Sequence, residues 1–508
     1  MKNDAEFTQR IQGFLEKLNN NSDVKTRFFS LGEGTRCCAA FLEGASDGGH
    51  IREMIQRLML FRAESKKAHN FPFGKAAAQR RTAPKPQTPD SEAEPIIKEL
   101  LAGGVISGGV SVLNEPDEAV QTVLNADTVL FVDGCASMLM IATAAWNTRA
   151  ISEPPTTNVL RGPREGFTEY LKTNLTMLRR RLKTPDLIFD RVTVGRRSNT
   201  DVCIAYIKSI ADGEIVAKIK ERLNKIDIDG VIDSAYLQQF LEEYSPSLFR
   251  QTGIGEKPDI ITAKILEGRA AVFCDGSPIV LTLPFLFYED LQQSEDYYSN
   301  TLRARFLRFL RIFGLITGLA LPGVYVSIQA FHYTVLPPEF LMTMLNSIAG
   351  VPLSPVFEML FVLLLFEIIH EASFRMPKYV GMAMSIVGAL VLGDTAVKAG
   401  LISSPAIMIV AISAISFYAV PDQVGPLSLL RLMFTLAGGA LGLFGIVLLG
   451  LVVIVYLAAL DSYGTPYLAP FAPRVSNDMA DGLLKDPADE IYNRPYSIPG
   501  KNKTRLKK

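Results

Sequence analysis

The feature that most constrains this chain is a change of chemistry near Arg311. Upstream, charged and apolar residues alternate as they do in water-soluble domains. From Ile312 to Leu460 apolar runs dominate, and between Lys378 and Asp461 only Asp394, Lys398, Asp422 and Arg431 carry charge. Helices built from such a stretch are apolar on every face, which suits lipid and not a water-soluble core. The sequence therefore predicts a soluble head fused to a membrane block. That architecture excludes most soluble enzyme classes.

Charge is balanced over the 508 residues, 52 basic against 52 acidic, so nothing electrostatic argues for a nucleic-acid partner. The five cysteines, Cys37, Cys38, Cys135, Cys203 and Cys274, lie in the soluble part without metal-ligand spacing. An odd, unframed set fits a reducing compartment, and Cys37 with Cys38 reads as a pair of small buried hydrophobes. The opening MKNDAEFTQR has no apolar core of the kind a cleaved signal carries, so membrane insertion is expected to follow the internal apolar segments.

Residues 1–65 read as a small α/β subdomain. Phe7, Ile11, Phe14, Leu15 and Leu18 recur at helical spacing, Arg36 to Leu42 suits a strand, and Ile51 to Leu60 is again helical. Residues 66–95 are rich in Lys, Ala, Gln, Thr and Pro, cannot bury enough surface to offset chain entropy, and read as a flexible linker. Residues 96–305 form the expected second α/β subdomain. In it Thr128–Val132, the Asp133-Gly134 turn and Met138–Ile141 make a hairpin signature, repeated by Arg269–Cys274, Asp275-Gly276 and Ile279–Leu283. Helical patterns run over Gly166–Leu182, Val202–Leu223 and Asp227–Phe240. Residues 306–472 are expected to form an α-helical transmembrane bundle of four to six segments, and 473–508 a basic cytoplasmic tail.

Arg303, Arg305, Arg308 and Arg311 precede an uncharged run, Ile312–Phe331, of about twenty residues, enough to cross a hydrocarbon core. His332–Pro355 carries no Lys or Arg and reads as a short interfacial helix. Val356–Ile369 is the second span, followed by Arg375 and Lys378, so the positive-inside rule places the head in the cytoplasm. Tyr379–Leu392 and Ala406–Val420 are shorter and are punctuated by Gly393, Gly400, Pro405 and Pro421, as broken or re-entrant pieces would be. Leu432–Leu460 reads as long and uninterrupted. A basic tail on the head's side requires an even number of crossings, four or six.

A carboxylate inside a span is costly and should face the bundle interior or a wet path. Glu358 and Glu367 lie within the second span, with His370 and Glu371 at its end. Glu367, His370 and Glu371 share a helical face and Glu358 lies roughly opposite. These four are the candidate ion path, with carboxylates selecting cations by charge. The competing reading has Glu371 and Arg375 simply locking the end of the span. Asp394 and Lys398 are a candidate membrane ion pair at i, i+4 spacing, and Gly438, Gly439, Gly442 and Gly445 allow close helix approach. In the head, Arg161, Arg164 and Glu165 form the densest unusual string and are a candidate interface. No phosphate-loop or dinucleotide spacing accompanies them. No nucleophile, acid–base set or metal constellation stands out, so no enzyme activity, cofactor or metal is expected.

Several strings, in this order, resemble the A-subunit family of bacterial spore germination receptors, the GerA family. They are Phe131-Val-Asp-Gly134, Trp146-Asn-Thr-Arg149, Glu153-Pro154, Arg161-Gly-Pro-Arg-Glu-Gly-Phe167 and Thr173-Asn174. Lys257-Pro-Asp259, Leu266-Glu-Gly-Arg269, Asp275-Gly-Ser-Pro278 and Glu295-Asp-Tyr-Tyr298 follow, then His370-Glu-Ala372, Arg375-Met-Pro377 and Ser385-Ile-Val-Gly-Ala-Leu390. The resemblance implies a multi-pass protein of the spore inner membrane with a cytoplasmic head. It implies a permease-like B subunit that senses nutrient and a lipoprotein C subunit as partners. It also implies self-association into a homo-oligomer that releases monovalent cations when nutrient binds. Alternatives are a non-conducting membrane scaffold or a sporulation-stage paralogue working with a different channel complex. A secondary transporter would need paired broken helices, and the chain offers a single broken region.

Overall fold

The computed structural model describes residues 2–31, 34–60, 95–102, 109–145, 161–244, 246–375, 391–482 and 485–506, together with positions 380, 386 and 388. The expected linker at 66–95 lies outside the described residues except for Pro95. The first unit runs α1 (Lys2–Lys17), β1 (Val24–Leu31), β2 (Thr35–Leu42), α2 (Gly48–Leu60), α3 (Pro95–Ala102), β3 (Val110–Leu113), α4 (Pro116–Leu124), β4 (Thr128–Val132) and β5 (Met138–Ile141). Its strands form one five-stranded antiparallel sheet in the order β1-β2-β4-β5-β3.

Alternation along β4 sorts the core. Val129 and Phe131 join Phe7, Ile11 and Phe14 of α1 on one face, while Leu130 and Val132 join Ile51, Met54 and Leu58 of α2 on the other. Cys38 falls with the first set and Cys37 with the second, so the adjacent cysteines are both buried but point to opposite faces. Burial pushes both thiols up to about 12. The division between subdomains is therefore not at the 66–95 segment. Strand β2 is buried on both sides from Cys37 to Ala40, as a central strand is, and its second neighbour, β4, comes from beyond residue 96. The sheets divide between Ile141 and Leu187.

The second unit contains α5 (Leu171–Arg181), β6 (Leu187–Val194), β7 (Thr200–Ile207), α6 (Gly213–Asn224), α7 (Ser234–Leu241), β8 (Gly253–Gly255), α8 (Pro258–Glu267), β9 (Ala270–Cys274) and β10 (Val280–Leu283). Its sheet order is β6-β7-β9-β10-β8. Both expected hairpins are present, β4–β5 and β9–β10. Two helical readings need correction. Val202–Leu223 is strand β7 followed by α6, because a doubly buried apolar run looks alike in a strand and in a core helix. Helix α6 begins only where the Asp212 side chain accepts from Glu214 N at 2.9 Å. Within Asp227–Phe240 the helix starts at Ser234, where Asp233 accepts from Ala235 N at 2.8 Å.

After α9 (Ser294–Tyr298) the chain enters a helical bundle: α10 (Thr301–Phe331), α11 (Pro338–Ile348), α12 (Pro355–Arg375), α13 (Ser404–Phe417) and α14 (Val424–Ala459). A π-helical turn, Val391–Thr395, and a short turn to Lys398 precede α13. Helix α10 and the Pro421–Ala459 stretch are long and apolar enough to cross a membrane. Large apolar side chains on their surface, among them Phe306, Phe309, Phe313, Phe444 and Leu451, are exposed. Soluble monomers do not present such faces to water.

The expected uninterrupted Leu432–Leu460 span is instead two arms. Gly442 has φ 66°, ψ −152°, and beyond it the helix folds back. A Cβ on Gly445 would lie within 2.3 Å of Ala437 O, and one on Gly450 within 4.0 Å of the Phe434 ring. In a straight helix these pairs would be roughly 12 Å and 24 Å apart. The reversal packs on Phe331 and His332 at the far end of α10. Both ends of α14 return to the head. Gln423 donates to Asp290, and Tyr456 packs on Phe249. The described residues of the C-terminal segment, 473–482 and 485–506, also lie along the head, where Ile498 is buried beside Leu286 and Tyr288 and Lys501 N donates to Ile210 O at 2.8 Å.

Candidate functional site

The bundle's polar centre begins with a proline. Pro322 in α10 has no N–H, so the carbonyl of Gly318, four residues back, loses its helical donor. The hydroxyl of Ser413 on α13 supplies one at 2.5 Å. Ser413 Oγ in turn accepts from Arg431 Nη1 on the first arm of α14 at 3.2 Å, and Arg431 Nη2 reaches Glu367 Oε1 on α12 at 2.6 Å. One chain of contacts thus joins α10, α13, α14 and α12. The Arg431 side chain is 1% exposed, and its guanidinium lies over the Phe417 ring at 4.9 Å and near Phe366 at 5.8 Å. A guanidinium in that setting is tolerable only because a carboxylate and aromatic faces surround it. Beside the pair is a pocket lined by Phe366, Glu367, His370, Phe417, Tyr418 and Arg431, about 10 Å³ in size and so room for about one water.

Of the four candidate ion-path residues only Glu367 and His370 share a pocket; Glu358 and Glu371 lie apart from it. Glu358 is 2% exposed and accepts from Ser403 N at 2.6 Å, one turn inside the far end of the bundle. Glu367 faces inward to Arg431. His370 is half-buried, stacked on Phe366 and near Tyr418. Glu371 points outward and pairs with Arg375 at 2.6 Å. Asp394 and Lys398 do pair, at 2.8 Å, but both side chains are exposed on this chain's surface and not enclosed by it. In the head, Arg161 and Arg164 are exposed, whereas Glu165 binds Arg180 and Arg181 at 2.5 and 2.6 Å within its own unit. Those two partners outweigh burial and hold the Glu165 carboxyl below the ordinary carboxylate range.

Several long-range contacts have no local signature. Arg179, from the run Arg179-Arg180-Arg181, is buried against Asp23 of the first unit at 2.9 Å, and Asn21 bridges to Leu187 and Phe189 across the same seam. Nearby, Glu43 gathers Lys172 at 2.8 Å, Arg191 at 3.3 Å and Lys25 at 3.7 Å. At the junction of head and bundle, Arg308 is 1% exposed and donates to Asp296, to Asp481 and to the carbonyls of Asp481 and Gly482. Arg311 holds the same Asp296 at 2.7 Å and Arg305 holds Asp486 at 2.8 Å. Arginines read as a topology flag are thus also a clamp among α9, α10 and the C-terminal segment. A second joint is made by Arg250, Asp290, Asp422 and Gln423. There burial raises the Asp290 carboxyl above its ordinary range despite the adjoining Arg250.

The family described as Bacillus/Clostridium GerA spore germination protein matches residues 12–497. Spore germination protein KA of Bacillus subtilis (strain 168) is 37% identical over 413 residues, 80% of this chain and 76% of that protein. Spore germination protein GerQA of Bacillus cereus is 34% identical over 398 residues, 78% of this chain and 80% of the relative. The uncharacterized membrane protein YfkQ of Bacillus subtilis (strain 168) is 32% identical over 476 residues, covering 93% of this chain and 88% of its own. Among solved structures, the N-terminal domain of the A subunit of the Bacillus megaterium spore germinant receptor GerK3 aligns with a TM-score of 0.40 and 28% identity. That alignment covers 55% of this chain and 95% of that domain. With a family match over nearly its whole length, the chain belongs to the GerA spore germination protein family.

Proposed function

We propose that this protein is the A subunit of a spore germinant receptor, that it associates with itself in the spore inner membrane, and that the assembly conducts monovalent cations. Its partners on this reading are a permease-like B subunit, which receives the nutrient, and a lipoprotein C subunit. The head lies in the cytoplasm. Helix α12 carries the observation that supports conduction between copies. Phe357, Phe361, Leu364 and Ile368 are exposed, and Glu371 and Arg375 continue the same helical stripe to the head-side end. Among the described residues that stripe has no helix against it, while Glu358 and Glu367 are turned inward. A path lined by it exists only where copies meet. An apolar constriction that dewets when closed, with a ring of carboxylates at one mouth, is a recognised way to gate and select cations. Of the four candidate path residues, Glu371 is the one on that stripe.

The joints at Arg308 and Arg250, with Tyr456 against Phe249, give the head a mechanical connection to α10 and to both arms of α14. The test is single-channel recording from purified oligomer. Nutrient-independent current from Leu364→Ser, and reduced cation preference in Glu371→Gln, are expected. An oligomer that assembles correctly and stays silent in both variants would leave the scaffold reading in its place.

A further inference from the structure

The channel reading leaves Glu358 unused. Its side chain is buried, 2% exposed, in a bundle of apolar helices. Among the described residues its carboxylate meets one hydrogen-bond donor, Ser403 N at 2.6 Å, and no basic side chain. A buried carboxylate without a counter-charge is costly unless something neutralises it. The side-chain polar groups nearest in the fold carry oxygen. Tyr325 of α10 packs on the same cluster as Met359 and Ile402, and its hydroxyl lies beside Ser403 and Glu358 without a hydrogen bond of ordinary geometry to either. One helical turn on, Gln329 Oε1 is also buried without a donor. Ser403 Oγ belongs to the N-terminal cap of α13. The backbone from Ala399 to Ser403 is irregular, with Gly400 at φ 66°, between the turn ending at Lys398 and the start of α13.

We propose that Glu358, Tyr325 and Ser403, with carbonyls of the 399–403 break, bind a small monovalent cation such as Na⁺ or K⁺. Irregular backbone inside a membrane bundle is tolerated where it lines a polar site. One carboxylate balances one positive charge; a divalent ion would leave an excess charge in the apolar interior. The site fastens α10 and α12 to the start of α13. It does not lie on the outward stripe of α12, so the bound ion is resident and not in transit.

The purified full-length protein is unfolded thermally in choline chloride, then in NaCl and KCl at equal ionic strength. A cation bound only by the folded state raises the unfolding midpoint saturably, by a few degrees once the ion is well above its dissociation constant. Glu358→Gln should abolish the alkali-specific rise, and Tyr325→Phe should shift its half-saturation to higher concentration. Equal midpoints in choline and alkali salts would overturn the proposal, as would a saturable rise that persists in Glu358→Gln. Should Glu358→Gln not fold, the wild-type titration and Tyr325→Phe decide alone, with an unmoved half-saturation counting against the site. Conduction is not read here, so a silent channel with an intact alkali response sinks only the pore reading.

Discussion

Glu367 and Arg431 show what a residue-scale reading reaches. Each is a lone charge in an apolar run, and that isolation marked Glu367 as special. The partner lies 64 positions away and is set by how α12 and α14 pack, so no spacing rule links them. Removing one member leaves a guanidinium buried without its counter-charge. Glu367→Gln should therefore destabilise the protein by about 3–5 kcal/mol, while the double change Glu367→Leu, Arg431→Met should cost less than either single truncation. Equilibrium unfolding in detergent around a double-mutant cycle measures this, and additive losses would refute the pairing. Glu43 gives the residue-scale pH dependence. Burial raises its carboxyl, but the hydrogen bond and charge of Lys172, with Arg191 and Lys25, outweigh that and lower it from 4.5. A lowered folded value means the unfolded state binds the proton more readily, so the stabilisation is present above about pH 4.5 and is lost as pH falls below it. The unfolding midpoint of the full chain should drop on acidification through that range, and Glu43→Gln should flatten the drop.

At the scale of elements, strands bounded by Asp-Gly turns were legible because turn chemistry is local: β4–β5 and β9–β10 stand where Asp133-Gly134 and Asp275-Gly276 put them. The reversal in α14 was not. Its two arms are apolar on all sides, so periodicity carries no phase to break, and Gly442 is one glycine among Gly438, Gly439 and Gly445. What distinguishes it is a positive φ and contact with His332, both products of the folded bundle. Gly442→Ala forces a side chain into the left-handed region and within 2.9 Å of His332 Nε2, and should favour a continuous helix. Spin labels at Leu429→Cys and Val455→Cys, both exposed, distinguish the two forms. A straight helix separates those positions by roughly 39 Å, whereas a hairpin brings them to neighbouring arms. A distance distribution centred near the longer value in otherwise unmodified protein would remove the hairpin.

For the molecule as a whole, the positions of the helix ends bear on the parity of crossings. Helix α10 leaves the head and ends at His332; α12 returns, since Val356 packs on Gly439 near the far reversal and Glu367 lies toward the head beside Arg431. Gly400 is close to Gly350 at the far end, α13 comes back to Gly314, and the two arms of α14 go out and return. The described helices thus run out from the head and back to it, and the C-terminal segment rests on the head, as Lys485 on Asp296 O at 2.6 Å and Lys501 on Ile210 O record. An even number of passes, as the basic residues of the tail predict, is the outcome to test. The clamp through Arg308 and Asp481 did not show in the sequence, because it is made by side chains 173 positions apart. In sealed vesicles, a membrane-impermeant maleimide should label Glu118→Cys in the head and Lys501→Cys in the tail from one side, and Val335→Cys from the other. All three positions are exposed in the folded chain, so differences in labelling report sidedness and not burial. Labelling of head and tail from opposite sides would require an odd number of passes and would break the packing of the tail on the head.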